Sequence, residues 1–190
     1  MSVVWLAGPV GAGKSTLARA LRALVNPVIP VALLDEDELR DAVAQASGPP
    51  SSVHGSGTAS SAQLSGAALV LAHQGLVVIV SAFDADPATL TWNRSYLPGY
   101  REIELRASVE TLEYRSRRQR TPTSARPQTR RAATGAMLAV PAPEPHLVID
   151  MDNPEPPELL AFRVAVLIPE FVAAASGAAG MLADRFRRGA

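Results

Sequence analysis

Val3-Val4-Trp5-Leu6-Ala7-Gly8-Pro9-Val10-Gly11-Ala12-Gly13-Lys14-Ser15-Thr16 is the stretch that decides the fold. Val3 to Gly8 is a short continuous apolar run, the pattern of a strand buried on both faces. Gly8 to Ser15 then fits G-x-x-x-x-G-K-[ST] at every position. Glycine at 8, 11 and 13 lets the backbone wrap closely, so that successive N–H groups point at phosphate oxygens. A helix beginning near Ser15 adds its positive N-terminal end. The pattern predicts an ATP phosphate site on Gly8, Gly11, Ala12, Gly13, Lys14, Ser15 and Thr16. Lys14 is expected to reach the β- and γ-phosphates, and the Ser15 hydroxyl to ligate Mg²⁺. A glycine-rich turn without a ligand is the plain alternative, and the strand before and the helix after it argue against that. Lys14 is also the only lysine among eighteen basic residues. In a chain that otherwise uses arginine, a compact point charge is singled out there.

Outward from this loop, strands and helices alternate. Ser15 to Val25 has helical spacing, with Leu17, Ala18, Leu21 and Leu24 on one side. Val31 to Leu34 is a second buried strand, opening through Asp35-Glu36-Asp37 into a helix from about Glu36 to Ala46. Ser47 to Ser61, rich in Gly, Ser and Pro, is expected to be a mobile loop. Ala62 to Gln74 reads as a helix, Leu76 to Phe83 as the clearest strand, Pro87 to Tyr96 as a weaker helix and Tyr100 to Leu105 as a half-exposed strand. Ser108 is placed as the N-cap of a helix running to about Arg118. Thr121 to Pro145 lacks strong periodicity. His146 to Asp150 is a fifth strand, and Pro157 to Ala175 a last helix that Pro169 must kink or end. This order predicts an α/β domain of the P-loop NTPase fold, a five-stranded parallel sheet flanked by helices on both faces. One domain is expected over residues 1–175, with a lid at about 116–144 and a tail at 176–190.

Composition removes several functions. Eighteen basic and eighteen acidic residues cancel, so no global field gathers nucleic acid or anionic lipid, and neither is expected as a partner. Without cysteine, disulfides, thiolate catalysis and cysteine-ligated zinc fall away. His54, His73 and His146 are too scattered for a metal cluster. With no signal peptide in view and no unbroken apolar run of about 18 residues, a cytoplasmic protein is expected. His54 reads as exposed, and Trp5 and Trp92 as packing residues.

Asp35 and Asp37 stand where the second strand opens into its helix. Ligands of open α/β sheets bind outside the carboxyl ends of the strands, the edge that carries the phosphate loop. A carboxylate there can orient an acceptor hydroxyl, take its proton and sit beside Mg²⁺. Which of the two is the base stays open, as does a plain role for both at the positive end of the helix. Ser81 and Phe83 close the third strand at the same edge and are candidates to line the acceptor pocket. Arg115, Arg117, Arg118, Arg120, Arg126, Arg130 and Arg131 fall within seventeen residues that contain no acid. One or two of them, with Arg115 and Arg118 foremost, are expected on a lid over ATP. A solvated helix face and a nucleic-acid patch are the alternatives, the latter weakened by charge balance and by the lack of interleaved aromatics.

Taken in order, these segments resemble the adenylylsulfate kinase family. Val4-Trp5-Leu6 looks like its first strand, and Leu34-Asp35-Glu36-Asp37-Glu38-Leu39-Arg40 is similar to its L-D-G-D-N-x-R segment. Gly75 to Ser81 matches its third strand; Leu97-Pro98-Gly99 and Glu110 to Arg115 fall in place. Pro143 to Asp150 looks like its P-E-x-P-x-L-x-L-D run. The resemblance implies an ATP-dependent kinase. It implies that Asp35 is the catalytic or Mg²⁺-linked carboxylate, that Arg40 contacts an anionic group of the acceptor, and that Arg115 belongs to the nucleotide lid. Glu36 and Glu38 depart from the family's Gly and Asn, adding negative charge beside the expected pocket. No arginine occurs at 50–66, where its Arg-x-x-Asn-x-Arg-Arg cluster should fall, and Arg117-Arg118-Gln119-Arg120 stands where its K-G-L-Y-K-K-A lid would begin. The expected acceptor is therefore another small molecule, a specialised metabolite or nucleoside-like alcohol. A true adenylylsulfate kinase and an ATP-binding regulator without transfer are the alternatives, and a homodimer is left open.

Overall fold

The structure, a computed structural model, describes residues 1–27, 29–46, 61–83, 85–119 and 144–172. The apolar runs form β1 (Val3–Ala7), β2 (Val31–Asp35), β3 (Val77–Ser81), β4 (Arg101–Arg106) and β5 (Leu147–Asp150). They make one sheet in the order β2-β3-β1-β4-β5, with every neighbouring pair parallel. Between them run α1 (Lys14–Val25), α2 (Glu36–Ala46), α3 (Ser61–His73), α4 (Pro87–Tyr96) and α5 (Val109–Gln119), and α6 (Pro157–Ala165) follows β5. This is the predicted P-loop architecture.

Because successive strand side chains point to opposite faces, the three inner strands feed two cores. Val4, Leu6, Ile79, Ile103 and Leu105 pack with Leu17 and Leu21 of α1 and Leu160 and Val164 of α6. Val3, Trp5, Val78 and Val80 pack with Leu64 and Ala68 of α3 and with Leu97 and Tyr100. β1 and β3 are buried at every residue, which explains their unbroken apolar composition.

Local signals held where they were strong. The Ser108 Oγ accepts the Thr111 N–H at 3.2 Å and caps α5. The last helix is broken at the expected proline: α6 ends at Ala165, the chain turns through Val166–Ile168, and helix resumes at 169–172. The Pro169 ring would meet the carbonyl four residues earlier, which is that of Ala165. β4 is less exposed than its alternation suggests. Glu102 is buried, paired with Arg94 at 2.9 Å and accepting from the Tyr100 hydroxyl at 3.3 Å. Several expected features lie outside the described residues: the loop at 47–60 with His54, most of the lid with Arg120, Arg126, Arg130 and Arg131, and the tail at 176–190. Among the described residues no helix is long and apolar enough to cross a membrane.

Strand register carries the functional residues to one edge. Leu6 sits beside Ser81, and Ser81 beside Asp35, so the carboxyl ends of β1, β2 and β3 open together. β1 then delivers Gly8 against β4. Gly8 has φ +146°, and a Cβ on it would lie 2.4 Å from the Leu105 carbonyl oxygen. Both the backbone conformation and the space forbid a side chain there. Gly8→Ala should therefore lower unfolding stability by about 2–4 kcal/mol in urea denaturation. An unchanged midpoint would mean that β1 and β4 can part without cost.

Candidate active site

The loop after β1 closes on itself through its own backbone and two cations. Gly13, at φ 104°, caps α1, whose first turn carries no acid, so the positive end of the helix stays unneutralised. Ala12 is buried, and its N–H donates to the Pro9 carbonyl at 3.1 Å. Thr16 lies exposed in the first turn of α1. Lys14 is only 7% exposed. Its Nζ donates to the Gly8 carbonyl at 2.7 Å and to the Pro9 carbonyl at 2.8 Å. From α5, Arg115 Nη1 donates to the carbonyls of Gly11 (3.1 Å) and Ala12 (3.2 Å), while Nη2 donates to that of Met151 (2.6 Å). Arg115 thus braces the crest of the loop against the chain leaving β5.

On the β2–β3 side, the Ser15 hydroxyl donates to Asp35 Oδ2 at 2.5 Å and lies 3.5 Å from the Ser81 hydroxyl. Asp35 and Ser81 are both buried. Asp35 Oδ1 accepts the N–H groups of Asp37 (3.0 Å) and Glu38 (3.4 Å), so one carboxylate caps α2 and meets the phosphate loop. Ser15 and Asp35 offer convergent hard oxygens, a donor set that fits Mg²⁺, which takes one or two carboxylates and completes its shell with phosphate and water. Among the described residues no group of three or more His, Asp or Glu could hold a metal without such help.

The next three acids diverge. Glu36 turns inward, and its Oε2 accepts the Phe83 N–H at 2.7 Å. Burial pushes its carboxyl above the ordinary range, against the pull of the Phe83 N–H and of Arg40. Asp37 is exposed and pairs with Arg40. Glu38 pairs with Arg19 at 2.9 Å on the outer surface. The expectation that Glu36 and Glu38 both flank the pocket is corrected: only Glu36 does, because residues two apart on a helix face different ways. The Phe83 ring lies 4.9 Å from Lys14 Nζ and 5.3 Å from Arg40 Cζ, measured to its centroid. Lys14, Ser15, Asp35, Ser81, Phe83 and Arg40 therefore share one site with Glu36, while the Asp37 carboxylate sits at its outer rim.

On the other side of the loop is a pocket of about 590 Å³ lined by Glu110, Thr111, Tyr114, Arg115, Arg118 and Asp152. Arg118 Nη1 donates to the Tyr114 hydroxyl at 3.0 Å, and its guanidinium lies over that ring. The Ser108 N–H, at 2.8 Å, holds the Asp152 carboxyl below its ordinary value. Sequence reasoning missed Thr111, Tyr114 and Asp152. The spacing of Thr111, Tyr114, Arg115 and Arg118, one helical face, was an available signal.

Comparison with known proteins adds the following. The family described as adenylylsulphate kinase matches residues 1–119 of the chain. A stretch of 38 residues is 58% identical to the adenylyl-sulfate kinase of Myxococcus xanthus (strain DK1622), covering 20% of this chain and 20% of that protein. The match thus spans about a fifth of that relative's length. The structure of the Mycobacterium tuberculosis APS kinase CysC in complex with AMPPNP and APS is 22% identical, with a TM-score of 0.61 over 87% of this chain and 96% of that one. A sugar kinase from Janibacter sp. HTCC2649 is 20% identical, with a TM-score of 0.57 over 92% of this chain and 98% of that one. At these identities the two structures speak for the fold.

Arg115→Met removes three hydrogen bonds from a charged donor to backbone carbonyls. The expected loss is about 2–4 kcal/mol of unfolding stability, since partial exposure lets water replace some of them. A change below about 0.5 kcal/mol in denaturant titration would show the brace to be incidental.

Proposed function

The chain belongs to the adenylylsulphate kinase family, and on that premise we propose that it is a phosphotransferase moving the γ-phosphoryl group of ATP onto a hydroxyl of a small molecule other than adenylyl sulfate. The observation that carries the reading is the contact of Ser15 with Asp35 at the mouth of a complete phosphate loop. It joins a nucleotide-binding element to a carboxylate able to serve the acceptor.

The loop divides the site. The base and ribose of ATP take the α5 side, in the pocket of Tyr114, Arg115, Arg118 and Asp152. The phosphates lie over the loop N–H groups and the N-terminus of α1. Lys14 follows the charge that develops on the transferring group. Ser15 and Asp35 would hold Mg²⁺, which supplies charge neutralisation at the β- and γ-phosphate oxygens. The acceptor enters on the α2 side, beside Phe83, Ser81 and Arg40. Its hydroxyl oxygen forms the new bond to phosphorus, the bond to the β,γ-bridging oxygen breaks with ADP leaving, and the hydroxyl proton passes to Asp35. Asp37, exposed and paired with Arg40, orients that arginine instead.

Asparagine caps a helix as well as aspartate does. Asp35→Asn should therefore keep the fold while lowering kcat by about 10²-fold or more. Asp37→Asn should cost less than about tenfold. Steady-state rates with a thermal melt of each variant separate the two, and the reverse order would reassign the base to Asp37.

Adenylyl sulfate should be a poor acceptor. Its phosphate and sulfate need cationic partners once taken from water. Between Asp41 and Ala85 the chain has no Lys or Arg, and Arg40 is already paired with Asp37. Each missing charged hydrogen bond costs roughly 1.5–3 kcal/mol, so two losses weaken binding by orders of magnitude. Transfer of label from γ-labelled ATP, measured with adenylyl sulfate and with a panel of uncharged and amine-bearing alcohols, tests this. A micromolar KM for adenylyl sulfate with ordinary turnover would make the chain a true adenylylsulfate kinase, a reading that family membership favours.

A further inference from the structure

Glu36 occupies a place that neither the phosphate loop nor the proton transfer requires. It is the first residue of α2. Its carboxylate leaves the helix to accept the Phe83 N–H where the chain emerges from β3. That N–H is a backbone donor on the acceptor side, of the kind that binds an anion in a pocket. Here a protein carboxylate has taken it. Arg40, the guanidinium stacked on Phe83, is the other natural anion partner in reach, and it is paired with Asp37. Lys14 Nζ is held by the Gly8 and Pro9 carbonyls, 4.9 Å from the Phe83 centroid, so the acceptor side sets the three carboxylates of Asp35, Glu36 and Asp37 against two cations, Lys14 and the Asp37-paired Arg40. A phosphate or sulfate entering there would meet net negative charge and an occupied donor.

We propose that Glu36 is the specificity-determining residue of the acceptor pocket, excluding acceptors that carry a phosphate or sulfate and admitting hydroxyl compounds that are uncharged or cationic. This rests on the kinase reading given above. It differs from a general effect of acidity, because Glu38, two residues on, carries the same charge but is paired with Arg19 on the outer surface.

The test is equilibrium binding of adenylyl sulfate, used as the anionic probe, to the full chain saturated with AMPPNP and Mg²⁺. Glu36→Gln removes the charge and keeps an oxygen able to accept from Phe83. Glu36→Gly removes the charge and also frees the N–H. Glu38→Gln is the matched control. Removing a like charge from a confined site should tighten adenylyl sulfate binding at least about tenfold in Glu36→Gln and further in Glu36→Gly, with Glu38→Gln within about threefold of the wild type. No gain in either Glu36 variant, or an equal gain in Glu38→Gln, overturns the inference and leaves the kinase reading standing. Failure of the wild-type chain to bind AMPPNP overturns that reading, and this inference with it.

Discussion

The absence of a side chain at Gly8 is the constraint on which the site depends. β1 runs so close to β4 that a single added carbon would press on the Leu105 carbonyl oxygen. The chain must leave the sheet there in a conformation open to glycine, and the loop that follows inherits its direction from that exit. Its carbonyls are then tied down by charge. Lys14 takes those of Gly8 and Pro9, and Arg115 takes those of Gly11 and Ala12. With these oxygens held by cations, the end of α1, whose first turn carries no acid, keeps its positive field, as an anion site requires.

The same edge of the sheet solves a second problem with one carboxylate. Asp35 ends β2, caps α2 through two N–H groups and accepts the Ser15 hydroxyl. Capping fixes where its second oxygen points, so the helix start and the reactive geometry are set together. The parallel register with β3 places Ser81 beside it. Burial on both faces keeps this corner rigid, since β1 and β3 have no exposed residue through which to shift.

Much of this was legible in the chain. The phosphate loop has a pattern bound to a physical task, and its strand and helix follow from apolar runs and helical spacing. α2 and α4 begin and end where their residues indicate, because charged first turns and Pro87 mark their starts. Less legible were features that depend on a neighbour in space. The burial of Glu102 needed Arg94 and Tyr100, which an alternating strand does not announce. The pocket face of α5 has a readable spacing, but nothing in that spacing says that the chain leaving β5 supplies Asp152 opposite it.

Sequence by itself determined the fold class and the strand–loop–helix order that sets Gly8 to Thr16 at the carboxyl edge of the sheet, because each rests on local pattern and chain order. Tertiary structure decided what Asp35, Glu36 and Glu38 do. Consecutive helical residues point about 100° apart, so which of them faces the site depends on how α2 lies against the end of β3. That docking sends Asp35 to Ser15, Glu36 to the Phe83 N–H and Glu38 to Arg19, while Asp37 takes Arg40 one turn along its own helix. Four adjacent carboxylates of nearly equal chemistry thus acquire four different surroundings, and for Asp35, Glu36 and Glu38 only packing between distant segments distinguishes them.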